Sequence, residues 1–185
     1  MFKISHKKNN KFHYSPLRYP GGKTFLFPFF DKVIKDNKLD GITYVEPFAG
    51  GAGAALALLF LEKVDHIVIN DLDKAIYSFW KSAIFNSEKF IKKINSTPIN
   101  IKEWRKQKTI YHDAKAKQLD RGFATFYLNR TNVSGILDGG PIGGVKQLGK
   151  YKINARFNKE KLIEKISQLS QYKNRITVTN KDGLD

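Results

Sequence analysis

Glu46 closes a short run of strand-forming residues, Thr43-Tyr44-Val45, and is followed by Pro47-Phe48-Ala49-Gly50-Gly51-Ala52-Gly53. Glycines let a chain turn sharply and let a ligand lie against the backbone, and a helix starting there presents free N–H groups. A dinucleotide site would use G-x-G-x-x-G to hold a pyrophosphate. A carboxylate at this mouth disfavours pyrophosphate and favours a ligand with positive charge. Roughly 20 residues further on, Asn70-Asp71 ends a second apolar run, where doubly wound folds place an acidic acceptor for ribose hydroxyls. Positive charge beside a ribose is the chemistry of a sulfonium nucleoside, and S-adenosylmethionine carries an ammonium and a sulfonium on its methionine part. Taken singly, the first motif also reads as a bare strand–helix turn, and Asp71 as a cap or solvated carboxylate. A third group, Ser15-Pro16-Leu17-Arg18-Tyr19-Pro20-Gly21-Gly22-Lys23, sets an aromatic, a tight turn and a lysine close enough together to cover a bound ligand.

The elements that must position these residues follow from periodicity and punctuation. Residues 24–38 read as a helix after the Pro-Gly-Gly turn, 43–48 as a strand, 49–53 as a turn and 54–63 as an Ala- and Leu-rich helix. His66–Asn70 reads as a second strand, and Asp73 as the N-cap of a helix over Lys74–Phe85. Strand–turn–helix–strand–helix implies a parallel sheet with right-handed crossovers. Residues 88–130 read as mostly helical and basic. Residues 131–153 hold six glycines and Pro141, and a stretch of that kind inside a compact domain is functional or disordered. An amphipathic helix over 159–172 takes Asn158 as its cap and Leu162, Ile163, Ile166 and Leu169 as its apolar face. Ile176–Thr179 reads as a further strand. The sequence ends soon after it, so an incomplete sheet is expected.

With 185 residues, one domain is expected, with room for an inserted subdomain. Lys and Arg number 33 against 17 Asp and Glu, a formal net charge of +16. That field favours a polyanion, either nucleic acid or an anionic membrane surface. The absence of Cys excludes disulfides and thiolate metal sites, and His6, His13, His66 and His112 show no ligand spacing. No metal site is expected. The longest apolar run, near Ala54 to Leu61, is far short of the ~20 residues that span a bilayer. Residues 1–14 read as a flexible basic arm with no apolar signal region behind it, so no membrane association and a cytoplasmic location are expected.

Tyr19-Pro20-Gly21-Gly22-Lys23, then Glu46 to Gly53, then Ile69-Asn70-Asp71-Leu72-Asp73 resemble, in that order, the DNA adenine methylase family of site-specific N6-adenine methyltransferases. The resemblance continues through Phe126 to Ile136, Gly149-Lys150-Tyr151 to Phe157, and Val178 to Asp182. It covers the chain from about residue 15 to the end. It implies an α/β fold: a Rossmann-like methyltransferase sheet, incomplete here, with a mostly helical target-recognition insert. Residues 15–86 and 156–185 would form the cofactor domain, and 87–155 the insert with its glycine-rich loop facing DNA. It implies S-adenosyl-L-methionine as cofactor and double-stranded DNA as partner, in a DNA-methylating setting such as restriction–modification. Cofactor contacts would come from Tyr19, Lys23, Glu46, Phe48, Gly50, Gly51, Asp71 and Asp182. DNA contacts would come from Arg18, Asn129, Arg130, Asn132, Ser134 and Ile136, with arginine on phosphate or guanine and Ile136 wedged beside a flipped adenine.

Two departures limit what carries over. In GATC-specific members a basic residue after the loop reads guanine; the matching position here is Asp138, which cannot donate to guanine, so GATC specificity is not expected. The family's Asp-Pro-Pro-Tyr motif, which holds the adenine amine and stacks on the base, is absent: no two prolines are adjacent. No catalytic residue is therefore assigned, and little turnover is expected of these 185 residues alone. A truncated gene, a fragment cut from a longer protein or a split enzyme completed by a second chain fits that pattern. The alternative is a DNA-binding module without catalysis; a dinucleotide enzyme is disfavoured by Glu46 and by Asn129-Arg130.

Overall fold

Three β-branched runs pair in parallel in chain order: β1 (Thr43–Glu46), β2 (His66–Asn70) and β3 (Ile176–Thr179). The structure, a computed structural model, describes residues 14–184. The basic arm expected over residues 1–14 lies outside the described residues except for Tyr14, whose ring packs edge-on against Phe60. The register sets Tyr44 beside Ile67 and Ile67 beside Ile176, so Tyr44, Glu46, Ile67, Ile69, Ile176 and Val178 share one face. β1 stops at Glu46 because Pro47 has no N–H to give the ladder.

Helix α1 (Phe27–Asp36) precedes the sheet and α2 (Gly53–Phe60) joins β1 to β2. Between β2 and β3 run α3 (Lys74–Phe85), α4 (Ser87–Ser96), α5 (Ile101–His112), α6 (Gln118–Thr131) and α7 (Lys159–Gln171). Helix α2 is apolar all round and every residue from Gly53 to Leu59 is buried, so it acts as a core rod rather than an amphipathic cover. It packs against β1 and β2, while α3 packs against β3 and, along its length, against α6. Asp73 caps α3 by accepting from the Ala75 N–H, and Asn158 caps α7 by accepting from the Lys161 N–H.

One core runs through all of this. Phe79 of α3, Phe90 of α4, Phe126 of α6 and Phe157 before α7 meet with ring centroids 5.3–5.9 Å apart. The helices of residues 87–131 thus share their core with the sheet-bearing part of the chain. The opposite sheet face is partly open among the described residues: Thr43 and Thr177 are exposed and Val45 is 51% exposed, while His66, Val68 and Thr179 are partly covered. Parallel sheets are normally covered on both faces. Among the described residues, no helix is long and apolar enough to cross a membrane.

Candidate functional site

The carboxyl ends of the three strands are tied together by one side chain. Asn70, 6% exposed, donates from Nδ2 to the carbonyls of Pro47 (2.9 Å) and Lys181 (3.1 Å). Its Oδ1 accepts from the Thr179 hydroxyl (2.7 Å) and the Lys181 N–H (3.0 Å). The amide therefore fixes the loops after β1 and β3 to the end of β2. In the sequence, this role of Asn70 is signalled only by a polar residue completing an apolar strand just before Asp71.

Asp71 extends this scaffold toward solvent. Its Oδ2 accepts from the Gly50 N–H (2.8 Å) and its Oδ1 from the Asp73 N–H (3.0 Å). Gly50 takes a left-handed φ of 48°, and its carbonyl accepts from Trp80 Nε1 on α3 (2.9 Å). The Tyr19 ring lies directly on this turn: a Cβ on Gly50 would stand 2.6 Å from it, and one on Gly51 2.8 Å from the Tyr19 Cβ. Burial first, then Asp71 and Asp73, push the Tyr19 phenol above its ordinary value. The exposed Phe48 ring lies over Gly183, beside Asp182, whose carboxylate accepts from the Leu184 N–H.

Glu46 is 2% exposed. Its Oε2 accepts from the Ala55 N–H at the start of α2 (3.3 Å), and its Oε1 lies 3.1 Å from Lys23 Nζ. Lys23 also donates to the Phe48 carbonyl (2.7 Å). Burial raises the Glu46 carboxyl above its usual range, and Lys23 and the Ala55 N–H oppose that rise. Glu46, expected at the methionine part of the cofactor, is thus also paired with Lys23 within the protein, and the pair fastens the Pro-Gly-Gly-Lys segment to the strand mouth. Lys23→Met is expected to lower stability by about 1–3 kcal/mol, below the range for a fully buried pair because Lys23 is 38% exposed. Adding Glu46→Gln should restore at least half. The deficit should shrink as pH falls, because a protonated Glu46 needs no counter-charge. Denaturant unfolding of the single and double variants at pH 5 and 8 measures both effects.

A second group of residues builds a loop on the far end of α6. Asn129, 1% exposed, accepts from the Arg18 N–H (2.7 Å) and donates to the carbonyls of Arg18 and Gly135. Asn132 is fully buried; it accepts from Trp104 Nε1 (2.7 Å) and donates to the carbonyls of Ile136 and Leu137. Both were expected at DNA; here their side-chain amides are buried and bonded within the chain, where they brace the loop. That loop closes where Asn132 bridges to Pro141, and it raises Val133, Ser134 and Ile136 into solvent. Ser134 holds a left-handed φ of 55° and Ile136 is 53% exposed. Arg18 Nη1 donates to the Asn132 carbonyl (3.1 Å), and Arg130 Nε donates to the Arg156 carbonyl (2.8 Å). The Asp138 side chain is 70% exposed, 3.5 Å from His112 Nε2.

A parallel sheet whose carboxyl end gathers a glycine turn, a carboxylate one strand over and two exposed aromatic rings is an α/β domain with these groups at the end where open α/β sheets take their ligands. Residues 19–185 match the D12 class N6 adenine-specific DNA methyltransferases, and the chain belongs to that family. Its members are transferases that methylate DNA, and they generally use S-adenosylmethionine. No curated protein is matched by the chain.

Proposed function

We propose that the chain supplies the cofactor-binding and DNA-facing parts of an S-adenosylmethionine-dependent, site-specific DNA adenine-N6 methyltransferase working in the cytoplasm. The observation that carries this reading is the Asp71 carboxylate at the strand end. It is half-buried, locked to the Gly50 turn, and still has lone pairs free for two ribose hydroxyls. Tyr19 and Phe48 offer aromatic faces to the rest of the nucleoside, with Asp182 beside them. The Gly50-Gly51 backbone meets the methionine part, held in place by the Glu46–Lys23 pair. When bound, the cofactor would supply the electrophilic sulfonium methyl group that methylation of an adenine amine needs.

On the DNA side, Arg18 and Arg130 meet the backbone or a base edge, and Ser134 and Ile136 enter beside the target adenine. Asn129 and Asn132 act beneath them as positioning residues. Residues 15–86 and 156–185 then form the cofactor part and 87–155 the recognition part, a division of tasks within one core. These 185 residues contain no Asp-Pro-Pro-Tyr. That motif would come from a further segment, on the same or a second chain, seated along the edge of β1 that is unpaired among the described residues and the partly open sheet face.

Calorimetry should show S-adenosylmethionine binding and NAD not binding. Incubation of residues 1–185 with methyl-labelled cofactor and mixed-sequence duplex should give no steady transfer. NAD binding in preference, or sustained transfer, overturns the reading. A DNA-binding module without catalysis is favoured by one observation, the group Arg18, Arg130, Arg156 and Lys165 with no acidic partner among the described residues; it predicts salt-sensitive duplex binding indifferent to the cofactor.

A further inference from the structure

Arg18, Arg130, Arg156 and Lys165 come from four separate segments and lie near enough to feel one another's charge, with Arg18 and Arg156 beside Val133 and Ser134 of the 132–141 loop. Backbone carbonyls orient three of them: Arg18 on Asn132, Arg130 on Arg156, and Lys165 Nζ on Ser15 (2.9 Å). Carbonyls orient a cation without neutralising it. Among the described residues none of the four forms an ion pair with Asp or Glu, although cations elsewhere do, as in Lys93–Asp120 and Arg175–Glu62. The mutual repulsion is felt. Burial, then Arg18 and Arg156, lower Arg130 to about 10; burial, then Arg130, lowers Lys165 to about 8. Like charges held together at a cost call for an anion from outside the chain. Arg18 and Arg156 also line an open cleft of about 350 Å³ with Ser134, Lys150 and Tyr151, so the group has a solvent entrance.

We propose that these four cations form a phosphate site for the DNA backbone, with the phosphodiester held in the cleft by Arg18 and Arg156 and with Arg130 and Lys165 as a second tier of charge. This rests on the DNA-methyltransferase reading and adds Arg156 and Lys165 to it. Arginine forks match phosphate oxygens bidentately. A phosphate contact carries no sequence information, so the site fixes where the loop lands rather than which base it reads.

The test is fluorescence anisotropy of the full chain with mixed-sequence duplexes across a salt series. Arg156→Gln and Lys165→Met should each weaken binding about tenfold at 100 mM salt. Each should also lower the slope of log K against log salt by about one. The losses should be equal for unrelated sequences, with S-adenosylmethionine affinity unchanged. Lys32→Gln, in an exposed pair on α1, should change neither quantity. Thermal melts establish that each variant is folded, and Lys165→Arg should recover binding. If the wild type binds duplex and both variants keep its slope, the site is elsewhere and the methyltransferase reading stands. If the wild type binds S-adenosylmethionine but no duplex, the site and the DNA-facing half of that reading both fail. If millimolar inorganic phosphate raises the wild-type melting temperature through these residues while duplex binding ignores them, the site takes a free anion and the DNA assignment is overturned.

Discussion

Asp71→Ala is expected to lower affinity for S-adenosylmethionine about 100-fold, and Asp71→Asn about tenfold. Hydrogen bonds to an ionised carboxylate contribute about 1.5–3 kcal/mol each, so loss of the ribose contacts alone exceeds a factor of ten. Alanine also removes the acceptor for the Gly50 and Asp73 N–H groups. The Gly50 N–H would then be unsatisfied at a left-handed turn that Tyr19 covers. Asparagine keeps one acceptor oxygen, so it can still hold Gly50 while presenting a weaker partner to the ribose. The difference between the two variants separates turn-holding from ligand contact. Calorimetry with each variant, alongside melting temperatures, checks this. Wild-type affinity in Asp71→Ala would remove the carboxylate from the site.

Where structure is local, the sequence was readable. His66–Asn70, Lys74–Phe85 with its Asp73 cap, and Ile176–Thr179 occur with the expected bounds, because β-branched runs and side-chain caps act within a few residues. The helix expected over 54–63 instead ends at Phe60, and Glu62 enters the left-handed region with φ 52°, a turn that no local pattern announced. Residues 88–130, expected to be mostly helical, hold three helices, with Pro98 between the first two, but their bounds could not be read.

The candidate site divides the same way. Tyr19, Lys23, Glu46, Gly50 and Asp71 could be grouped because glycine turns and strand ends have fixed meanings in α/β folds. The burial of Asn129 and Asn132 could not be read. An asparagine beside arginine at the end of a basic helical stretch looks like surface, and only a contact 111 residues away, from Asn129 to the Arg18 backbone, makes it an anchor. The internal balance of Glu46 by Lys23 was hidden for a related reason, since the spacing of two motifs does not say whether their charges meet each other or a ligand.

Gly122→Ala is expected to destabilise the fold by about 3 kcal/mol, a drop of roughly 6–12 °C in melting temperature. Glycine inside a helix costs about 1 kcal/mol relative to alanine, so on propensity alone the substitution should stabilise α6. Geometry reverses the sign. A Cβ on Gly122 would stand 2.4 Å from the Ser78 carbonyl oxygen, 2.7 Å from its carbon and 3.0 Å from the Phe79 Cα. These are backbone atoms of α3, so no rotamer change relieves the clash; the two helices must separate. Separation opens the Phe79–Phe126 stack and moves Trp80, which holds the Gly50 carbonyl at the candidate cofactor turn. Cofactor affinity is therefore expected to fall together with stability, although Gly122 touches nothing at the site. Gly140→Ala is the matched control, since a Cβ there meets nothing within 4 Å, and it should stay within about 0.5 kcal/mol of wild type. Thermal melts and a cofactor titration of both variants decide the matter. A Gly122→Ala protein that melts with the wild type would mean that α3 and α6 do not approach backbone to backbone, and that the turn at Gly50 is held by something other than the helix behind it.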